Sequence, residues 1–390
     1  KAPEQTLLMK TEQMIMEKLS GPHVPAFVAK GDMADQPYLA MEYIEGPSLH
    51  DYLDRATPTI EQIAQWGRAL ADALHDLHRQ NVVHLDIKPA NVLFRPDGAA
   101  VIIDFGLARH AHLPDLIEEA FDKPVGTSTY ISPEQVLNNR CDPRSDIFAL
   151  GVILYQLATG RLPFGSPTSI GGFRKRLYLD PRPPRAIRGD IPPWLQEIIL
   201  HCLEVRAEDR YASAAQVAFD LVHHDQVVLT ARAHRLKTAG LPTVIRRWYK
   251  SWSIVARPCP EPLQHLGSAP HIMVALDIPN ADEKLLLALR ELVRRAVAAD
   301  AHCRITCCTV EAPSILTEED QTHELANSLH TQRLIEMRHW AQPLALSSEK
   351  LRFHVLGGND PADALLDFAR THHVDQIIIG ARGSSVLRRI

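Results

Sequence analysis

The 390-residue sequence lacks the extremes of charge and hydrophobicity that mark specialised classes of protein. Its 42 Lys and Arg are nearly balanced by 47 Asp and Glu, and a formal net charge of -5 gives no whole-chain argument for nucleic-acid binding. We therefore expect no nucleic-acid partner. The longest uncharged apolar run, residues 147–160, is too short and too polar to span a bilayer. Ordinary globular domains, two or three for this length, are the expectation that remains.

The sequence also has few cysteines and no metal-binding arrangement of them. Its six cysteines form no C-x-x-C pair and no zinc-type spacing. Cys307 and Cys308 are adjacent in a strand-like run, so their side chains should point to opposite faces. We expect the cysteines to be reduced core residues of a cytoplasmic protein.

Residues 82–106, VVHLDIKPANVLFRPDGAAVIIDFG, place four functional groups at fixed separations on strand-flanked turns. Transfer of a γ-phosphoryl group needs a carboxylate that accepts the hydroxyl proton, a cation near the moving phosphate, and ligands for Mg²⁺. Asp86 and Lys88 supply the carboxylate and the cation, in that order. Asn91 and Asp104 supply the metal ligands. The stretch therefore predicts an ATP- and Mg²⁺-dependent phosphotransferase.

This stretch resembles the catalytic loop and metal motif of the eukaryotic-like Ser/Thr protein kinases of bacteria, H-R-D-x-K-x-x-N followed by D-F-G. The motif residues match from His84 to Gly106 except at Leu85, where the family usually has Arg. The resemblance implies that Asp86 deprotonates the acceptor hydroxyl and that Lys88 stabilises the transferring phosphoryl group. A chance hairpin with surface acids would explain either motif alone, but both at this spacing argue strongly against it.

The resemblance places two further residues for ATP upstream of the catalytic loop. Residues 6–19 show a helical pattern that corresponds to the family's αC helix. Glu12 would there pair with the phosphate-binding Lys, for which Lys1 is the candidate. The competing explanation is a solvated helix face and a ragged terminus. No G-x-G-x-x-G precedes the catalytic loop, so we expect a fragment truncated at both ends.

The run 37–46, PYLAMEYIEG, resembles the hinge between the two kinase lobes. Met41 would then be the gatekeeper. The backbone of Glu42 and Ile44 would meet the adenine edge, and Leu93 would lie beneath the adenine ring.

Residues 126–135, GTSTYISPEQ, resemble the substrate-facing loop of the family. Thr127 would brace the catalytic Asp and Lys. The resemblance implies that Glu134 forms a buried ion pair with Arg210. Because either charge buried alone would cost several kcal/mol, the presence of both supports the fold. Asp146 would hold the backbone of the catalytic loop.

Two absences concern regulation. Leu85 replaces the Arg that a phosphate on the activation segment would neutralise, and residues 105–126 contain no Ser, Thr or Tyr. We therefore hypothesise that this segment becomes ordered without phosphorylation, through acidic residues paired with basic ones. The candidate acidic residues are Asp115, Glu118 and Glu119, and the candidate basic residues are Arg109 and Lys123.

Residues 226–260 carry seven Lys and Arg, no Asp or Glu, and three aromatic residues, Trp248, Tyr249 and Trp252. Basic and aromatic segments can lie on anionic membranes. They are more often linkers that pack against a neighbouring domain, and we favour that interpretation over membrane contact.

From residue 271 onward, strand-like and helical runs alternate, which predicts a parallel sheet covered by helices. The last of these runs resemble the universal stress protein family, some members of which bind ATP. The resemblance implies a nucleotide site between Asp277 and the glycines Gly380 and Gly383, whose backbone N–H groups would close on phosphates. The alternative is a domain that binds no nucleotide and serves as a sensor or as a homodimerisation module.

Together these patterns predict an α+β protein kinase fold, mostly C-lobe with an incomplete N-lobe, over residues 1–225. A basic linker follows over 226–268, and then an α/β doubly wound parallel-sheet universal stress protein-like domain over 269–390. The predicted function is transfer of the ATP γ-phosphoryl group to Ser or Thr of protein substrates, with a nucleotide-binding, stress-sensing C-terminal domain. A pseudokinase scaffold is the alternative. Leu85 and the missing glycine-rich loop favour it, and the intact catalytic and metal residues oppose it.

Overall fold

A computed structural model describes residues 3–31, 37–53, 57–120, 126–252, 270–278, 281–300, 303–311, 321–347 and 350–380. The chain forms two compact units, residues 1–268 and residues 269–390. Among the helices of the described residues, none is both long enough and apolar enough to cross a membrane.

The first unit is mainly helical, with short antiparallel strand pairs β1–β2, β3–β6 and β4–β5. Its described helices are α1 Pro3–Met16, α2 Leu49–Leu53, α3 Ile60–Arg79, α4 Leu116–Ala120, α5 Pro133–Val136, α6 Arg144–Thr159, α7 Ile170–Arg174, α8 Pro193–Cys202, α9 Ala214–Val222, α10 Ala231–His234 and α11 Leu241–Ser251. Its described strands are β1 Phe27–Lys30, β2 Leu39–Met41, β3 Val82–Val83, β4 Val92–Phe94, β5 Ala100–Ile102 and β6 Arg109–His110. Short 3-10 turns lie at Pro89–Asn91, Lys175–Leu177, Pro184–Ala186, Ala207–Asp209 and His224–Gln226.

The core of this unit forms where α3 packs on α9 and on α6, and where α8 packs on α6. Helix α6 is apolar on nearly all sides and is therefore buried along most of its length. Helix α3 begins with a capping box, in which the Thr59 side chain accepts from the Gln62 N–H and Gln62 reciprocates. Gly67 permits the close approach of α3 to α6, because a Cβ at this position would lie 2.6 Å from the side chain of Leu154 in α6. This packing fixes the end of α3, from which the chain runs into β3 and the catalytic loop.

The helix expected near the start of the first unit is present, shifted along the chain. The expected helix over residues 6–19 is α1, which begins and ends three residues earlier. The hairpin expected after the catalytic loop is the pair β4–β5, closed by a turn at residues 95–98. Periodicity located these elements because each has one clear apolar face or a clear turn sequence.

Part of the segment interpreted as a linker packs on the first unit. The carboxylate of Glu197 in α8 accepts from the backbone N–H groups of Thr230 and Ala233, at 3.0 and 2.9 Å, and from the Arg232 side chain at 2.7 Å. Gln196 donates to backbone carbonyls of the same segment. Buried polar groups of α8 therefore hold the described residues 227–235 in place.

The second unit is a four-stranded parallel sheet with helices between its strands, which confirms the expected fold. Its described elements are β7 His271–Ala275, α12 Glu283–Ala299, β8 Arg304–Glu311, α13 Gln321–Ala341, a 3-10 turn Gln342–Leu344, β9 Leu351–Gly357, α14 Pro361–Thr371 and β10 Gln376–Ile379. The strand order is β10-β7-β8-β9, so the chain runs outward from β7 to β9 and then returns to the other side of β7. Strand order reverses between β7 and β10, the position where such sheets bind ligands.

The cysteines follow the expectation with one exception. Cys202, Cys303, Cys307 and Cys308 are free and buried, and the last two are adjacent in β8, in the interior of the sheet. Cys141 is disulfide-bonded, so the expectation that every cysteine is reduced is wrong at this position. Spacing along the sequence gave no sign of this bond.

Candidate active site

The buried carboxylate of Asp146, in the first turn of α6, organises the catalytic loop. It accepts from the backbone N–H of His84 at 2.9 Å and from the backbone N–H of Leu85 at 2.8 Å. His78, at the end of α3, contacts the same carboxylate through Nε2 at 2.9 Å. The expected role of Asp146 is therefore confirmed, and His78 is a partner that the sequence analysis missed.

Leu85 adopts a left-handed backbone conformation with φ of 64°. This conformation costs a residue with a Cβ about 1–2 kcal/mol, so other contacts must stabilise the turn. Its N–H is bound by Asp146, its carbonyl accepts from Gln135 Nε2 at 2.8 Å, and its side chain is buried with Val83 and Cys141. The turn directs the next residue, Asp86, into the site.

Both carboxylate oxygens of Asp86 have hydrogen-bond partners. Oδ1 accepts from the backbone N–H of Thr127 at 2.7 Å and from its hydroxyl at 2.6 Å. Oδ2 accepts from Lys88 Nζ at 2.6 Å. The structure thus brings the three predicted catalytic residues together, and it orients the Asp86 carboxylate from two sides.

Asn91 and Asp104 lie beside this group. Asn91 Nδ2 donates to the Asp86 carbonyl at 3.1 Å and lies 3.5 Å from Asp104 Oδ2, while Lys88 Nζ lies 4.0 Å from the same oxygen. The nitrogen of the Asn91 amide is thus directed at protein oxygens, which leaves its oxygen for a cation. Asp104 is half exposed and has φ of 68°. Oxygen donors of this kind suit Mg²⁺, so the residues present fit the implied metal.

The described residues contain no cluster of three His, Cys, Asp or Glu side chains that could hold a metal ion. Asn91 and Asp104 would supply two oxygen ligands to a cation between them. Mg²⁺ commonly combines one or two carboxylates with phosphate oxygens and water in this way.

Glu12 of α1 connects this helix to the metal motif. Its Oε1 accepts from the backbone N–H of Phe105 at 3.2 Å. Burial raises the pKa of the Glu12 carboxyl, the Phe105 bond opposes this effect, and the nearby charge of Asp104 adds to it. A largely buried carboxylate of this kind is suited to pair with a cation. Lys1, its predicted partner, lies outside the described residues.

The predicted hinge residues lie on and after β2. Met41 is half buried and packs on the core, and Ile44 is buried. The Glu42 N–H donates to the Ala26 carbonyl at 2.8 Å, so only its own carbonyl remains for an adenine edge. The Glu42 side chain forms a bidentate ion pair with Arg95, which lowers the pKa of the Glu42 carboxyl to about 2. Leu93 lies in β4 and is half buried.

The substrate-facing loop is held by two buried arginines. Arg210 binds Glu134 in the predicted bidentate ion pair, with N–O distances of 2.6 and 2.8 Å. Arg176 was not predicted. It donates to the carbonyls of Ser128 and Ile131, and burial lowers the pKa of its guanidinium to about 10. No sequence pattern distinguished Arg176 from the other basic residues of its segment, Arg174 and Lys175.

The described part of the activation segment, up to residue 120, is held by ion pairs. Arg109 lies 3.8 Å from both Asp115 and Glu118, which are two of the predicted pairs. Arg140, which the sequence analysis did not consider, binds Asp115 at 2.8 Å. The Glu119 side chain and Lys123 lie outside the described residues.

The second unit contains a cavity of about 390 Å³ at the carboxyl ends of its strands. Asp277, which follows β7, and Gly380, which follows β10, both line it. A Cβ on Gly380 would lie 2.9 Å from the side chain of Leu285, so α12 packs closely over this glycine. Gly383 lies outside the described residues.

Two family models match the chain. Residues 2–225 match the protein kinase domain, and residues 269–390 match the universal stress protein family. The boundary between the two compact units coincides with the start of the second match.

Curated relatives of the first unit are bacterial Ser/Thr protein kinases. The chain is 30% identical to serine/threonine-protein kinase PknB of Mycolicibacterium smegmatis over 60% of this chain and 37% of the relative. It is 38% identical to serine/threonine-protein kinase pkn3 of Myxococcus xanthus over 45% of this chain and 34% of the relative. It is 32% identical to serine/threonine-protein kinase PknL of Mycobacterium tuberculosis over 54% of this chain and 53% of the relative. The chain thus spans about a third to a half of these relatives.

Proposed function

Because the chain belongs to the protein kinase domain family, we propose that it transfers the γ-phosphoryl group of ATP to Ser or Thr hydroxyls of protein substrates. The observation that carries the proposal is the carboxylate of Asp86, held by Thr127 on one oxygen and by Lys88 on the other. A carboxylate fixed in this way is suited to receive the proton of an acceptor hydroxyl.

In this proposal each residue of the site has one task. Asp86 orients the acceptor hydroxyl and takes its proton, and Lys88 places a positive charge beside the group in transfer. Asn91 and Asp104 would hold Mg²⁺ on the phosphates. When bound, Mg²⁺ supplies positive charge that neutralises the phosphate oxygens. Thr127 donates to Asp86 and so keeps the base in one orientation.

The test compares two Asp-to-Asn changes of the same size. Asp86→Asn should reduce phosphoryl transfer to a Ser/Thr peptide by about 10²–10⁴-fold, because the amide cannot accept a proton. Asp97→Asn is the matched control. Asp97 lies in the exposed β4–β5 turn, where its Oδ1 accepts from the Ala99 N–H, and an Asn oxygen keeps that bond. Both variants should unfold at the temperature of the unmodified protein. Phosphoryl transfer retained by Asp86→Asn would contradict the assignment of Asp86.

Asp104→Asn tests the metal role separately. We expect loss of activity together with weaker Mg²⁺ dependence of ATP binding, because Asp104 carries the whole negative charge of the two proposed ligands. Titration of Mg²⁺ at fixed ATP, read by calorimetry, measures this directly. Unchanged Mg²⁺ dependence would place the metal elsewhere.

The scaffold alternative makes an opposite prediction. A pseudokinase would bind partners without turnover, and Leu85 in place of the usual Arg is the feature that favours it. Magnesium-dependent transfer of labelled phosphate from ATP to Ser or Thr by the unmodified protein supports the kinase proposal. Folded protein that binds ATP and transfers none would support the scaffold.

We propose further that the second unit binds ATP in its cavity, with Asp277 taking a ribose or base donor and the backbone beyond β10 meeting phosphates. Its volume lies within the range of small-molecule sites. Calorimetry of ATP binding by the full chain compares the unmodified protein with Gly380→Val, which should remove the binding assigned to the second unit and leave that of the first. If Gly380→Val leaves ATP binding by folded protein unchanged, the second unit binds no ATP in this cavity. The same proposal includes a role of the second unit in sensing stress and in forming a homodimer. It also includes a cytoplasmic location, because ATP is available there.

A further inference from the structure

Helix α11 presents its apolar side to solvent. Five large apolar residues, which we call the α11 stripe, lie within an arc of roughly 100° on a helical projection. Its members are Leu241, Ile245, Trp248, Tyr249 and Trp252. All five are exposed, from 41% for Trp248 to 78% for Leu241. Trp248 contacts the rings of Tyr249 and Trp252 edge-on, each at 6.0 Å between centroids, so the aromatic members form one continuous patch.

The opposite, more polar side of α11 attaches the helix to the first unit. Ser251 is buried, and its carbonyl accepts from Arg174 Nη2 at 2.9 Å. Arg247 forms an ion pair with Asp180 at 2.7 Å. An amphipathic helix of a globular domain ordinarily turns its apolar side to the core. Here the polar side docks and the apolar stripe projects outward, apart from Trp252, whose ring lies 5.3 Å from the guanidinium carbon of Arg174 in the first unit.

The surroundings of the stripe are basic. Residues 226–252 contain no Asp or Glu, and three cationic residues on or near α11 are exposed, namely Lys237, Arg246 and Lys250. Trp and Tyr favour the boundary between lipid headgroups and acyl chains, and each Lys or Arg near an anionic surface adds to binding. We propose that the α11 stripe binds the surface of an anionic lipid bilayer. The sequence alone favours packing against a neighbouring domain. The outward orientation of the stripe favours membrane contact instead.

The exposed cationic residues around the α11 stripe also argue against a second copy of the chain as its binding partner. A symmetric dimer through the stripe would bring two equally basic surroundings together, because a two-fold interface uses one patch twice. Like charges brought together repel. A bilayer of anionic headgroups offers the opposite charge over the whole patch.

The experiment measures sedimentation of the full chain with vesicles of phosphatidylcholine alone and of phosphatidylcholine with phosphatidylglycerol. We expect binding to the anionic vesicles and at least about tenfold weaker binding to the neutral ones. Ile245→Ser/Trp252→Ser should reduce binding to the anionic vesicles by at least about tenfold, since it removes two apolar side chains that would be buried in the bilayer. The matched control is Leu287→Ser/Leu292→Ser, which removes two exposed leucines of α12 and should bind as the unmodified chain does.

Two further measurements separate the outcomes. Arg246→Gln/Lys250→Gln should weaken binding at low salt and make it less sensitive to added salt. Tryptophan fluorescence should shift to the blue with anionic vesicles, and Ile245→Ser/Trp252→Ser should reduce that shift. Absence of binding, equal binding to both vesicles, or equal loss in the α12 control would overturn the proposal. Light scattering that shows a dimer in buffer, abolished by Ile245→Ser/Trp252→Ser, would overturn it in favour of a second copy.

Discussion

Asp115 is the residue through which the ordering of the activation segment can be tested. Its Oδ2 lies 2.8 Å from Arg140 Nε and 3.8 Å from Arg109 Nε, and all three side chains are nearly buried. Its Oδ1 accepts from the backbone N–H groups of Ile117 and Glu118, both at 3.1 Å, at the start of α4. One carboxylate thus joins β6, α4 and the chain beyond α5. This is the task that a phosphate performs in kinases whose segment is phosphorylated.

Asp115→Asn removes the charge and keeps an oxygen for α4, because Asn serves at a helix start as well as Asp does. What is lost is the charge-assisted bond to Arg140 and the attraction to Arg109. Hydrogen bonds to charged groups contribute about 1.5–3 kcal/mol, and the variant leaves the buried cations Arg109 and Arg140 without the carboxylate that they share. We therefore expect the free energy of unfolding to fall by about 2–3 kcal/mol. We also expect a lower rate of phosphoryl transfer, because the segment that carries the substrate-facing loop loses an anchor.

The assay pairs urea unfolding of the first unit with phosphoryl transfer measured after phosphatase treatment. Glu118→Gln is the matched control, since it removes a carboxylate from the same Arg109 at 3.8 Å but at an exposed position, where such pairs contribute less than about 1 kcal/mol. If Asp115→Asn is no less stable than Glu118→Gln, the buried pair contributes nothing. If phosphatase treatment abolishes activity through residues 105–130, the segment depends on phosphate and the reasoning fails.

Three further predictions concern buried charge. Glu12→Gln should raise the unfolding temperature at neutral pH but not at about pH 4. Burial raises the pKa of Glu12 in the folded protein, so the charged carboxylate destabilises the fold at any pH above the pKa that Glu12 has in the unfolded chain. Burial lowers the pKa of His271 to about 4. The free energy of unfolding of the second unit should therefore fall by up to about 3 kcal/mol as pH falls from about 6.5 to 4. In urea titrations, His271→Gln should make this free energy less dependent on pH. Arg210→Met should cost about 3–5 kcal/mol by leaving Glu134 buried without its cation, and adding Glu134→Gln should recover part of this in the same titrations.

Local sequence predicted the parts of the fold that depend on residues close together in the chain. The β4–β5 hairpin has its turn sequence between its two strands, and α3 has both its capping box and its apolar face within its own 20 residues. The alternation after residue 271 predicted the parallel sheet in the same way. The resemblance to kinases added the long-range pair Glu134–Arg210, which no local pattern contains.

Contacts between distant segments of ordinary composition could not be predicted. The basic segment 226–260 carries no acidic residue of its own, so its sequence does not indicate which residues it binds. Its partners, Glu197 and Asp180, lie 35 and 67 residues before the arginines that they bind. Arg176 likewise binds backbone carbonyls, which every residue has, so its sequence neighbours give no sign of its role.

Leu85 and Asp115 together explain how the first unit manages without the usual arginine. An Arg at position 85 would be a buried cation beside Asp86, and it would need an anion brought by the activation segment. Leu85 instead packs with Val83 and Cys141, and its strained backbone is held by Asp146 and Gln135, none of which belongs to the activation segment. The turn that precedes Asp86 is thus held without residues 105–126, and Thr127, which follows them, binds the Asp86 carboxylate itself. Asp115 supplies to the segment a permanent negative charge in place of a removable one. A kinase built in this way should lack an on-switch at this point, so any regulation must act through other surfaces.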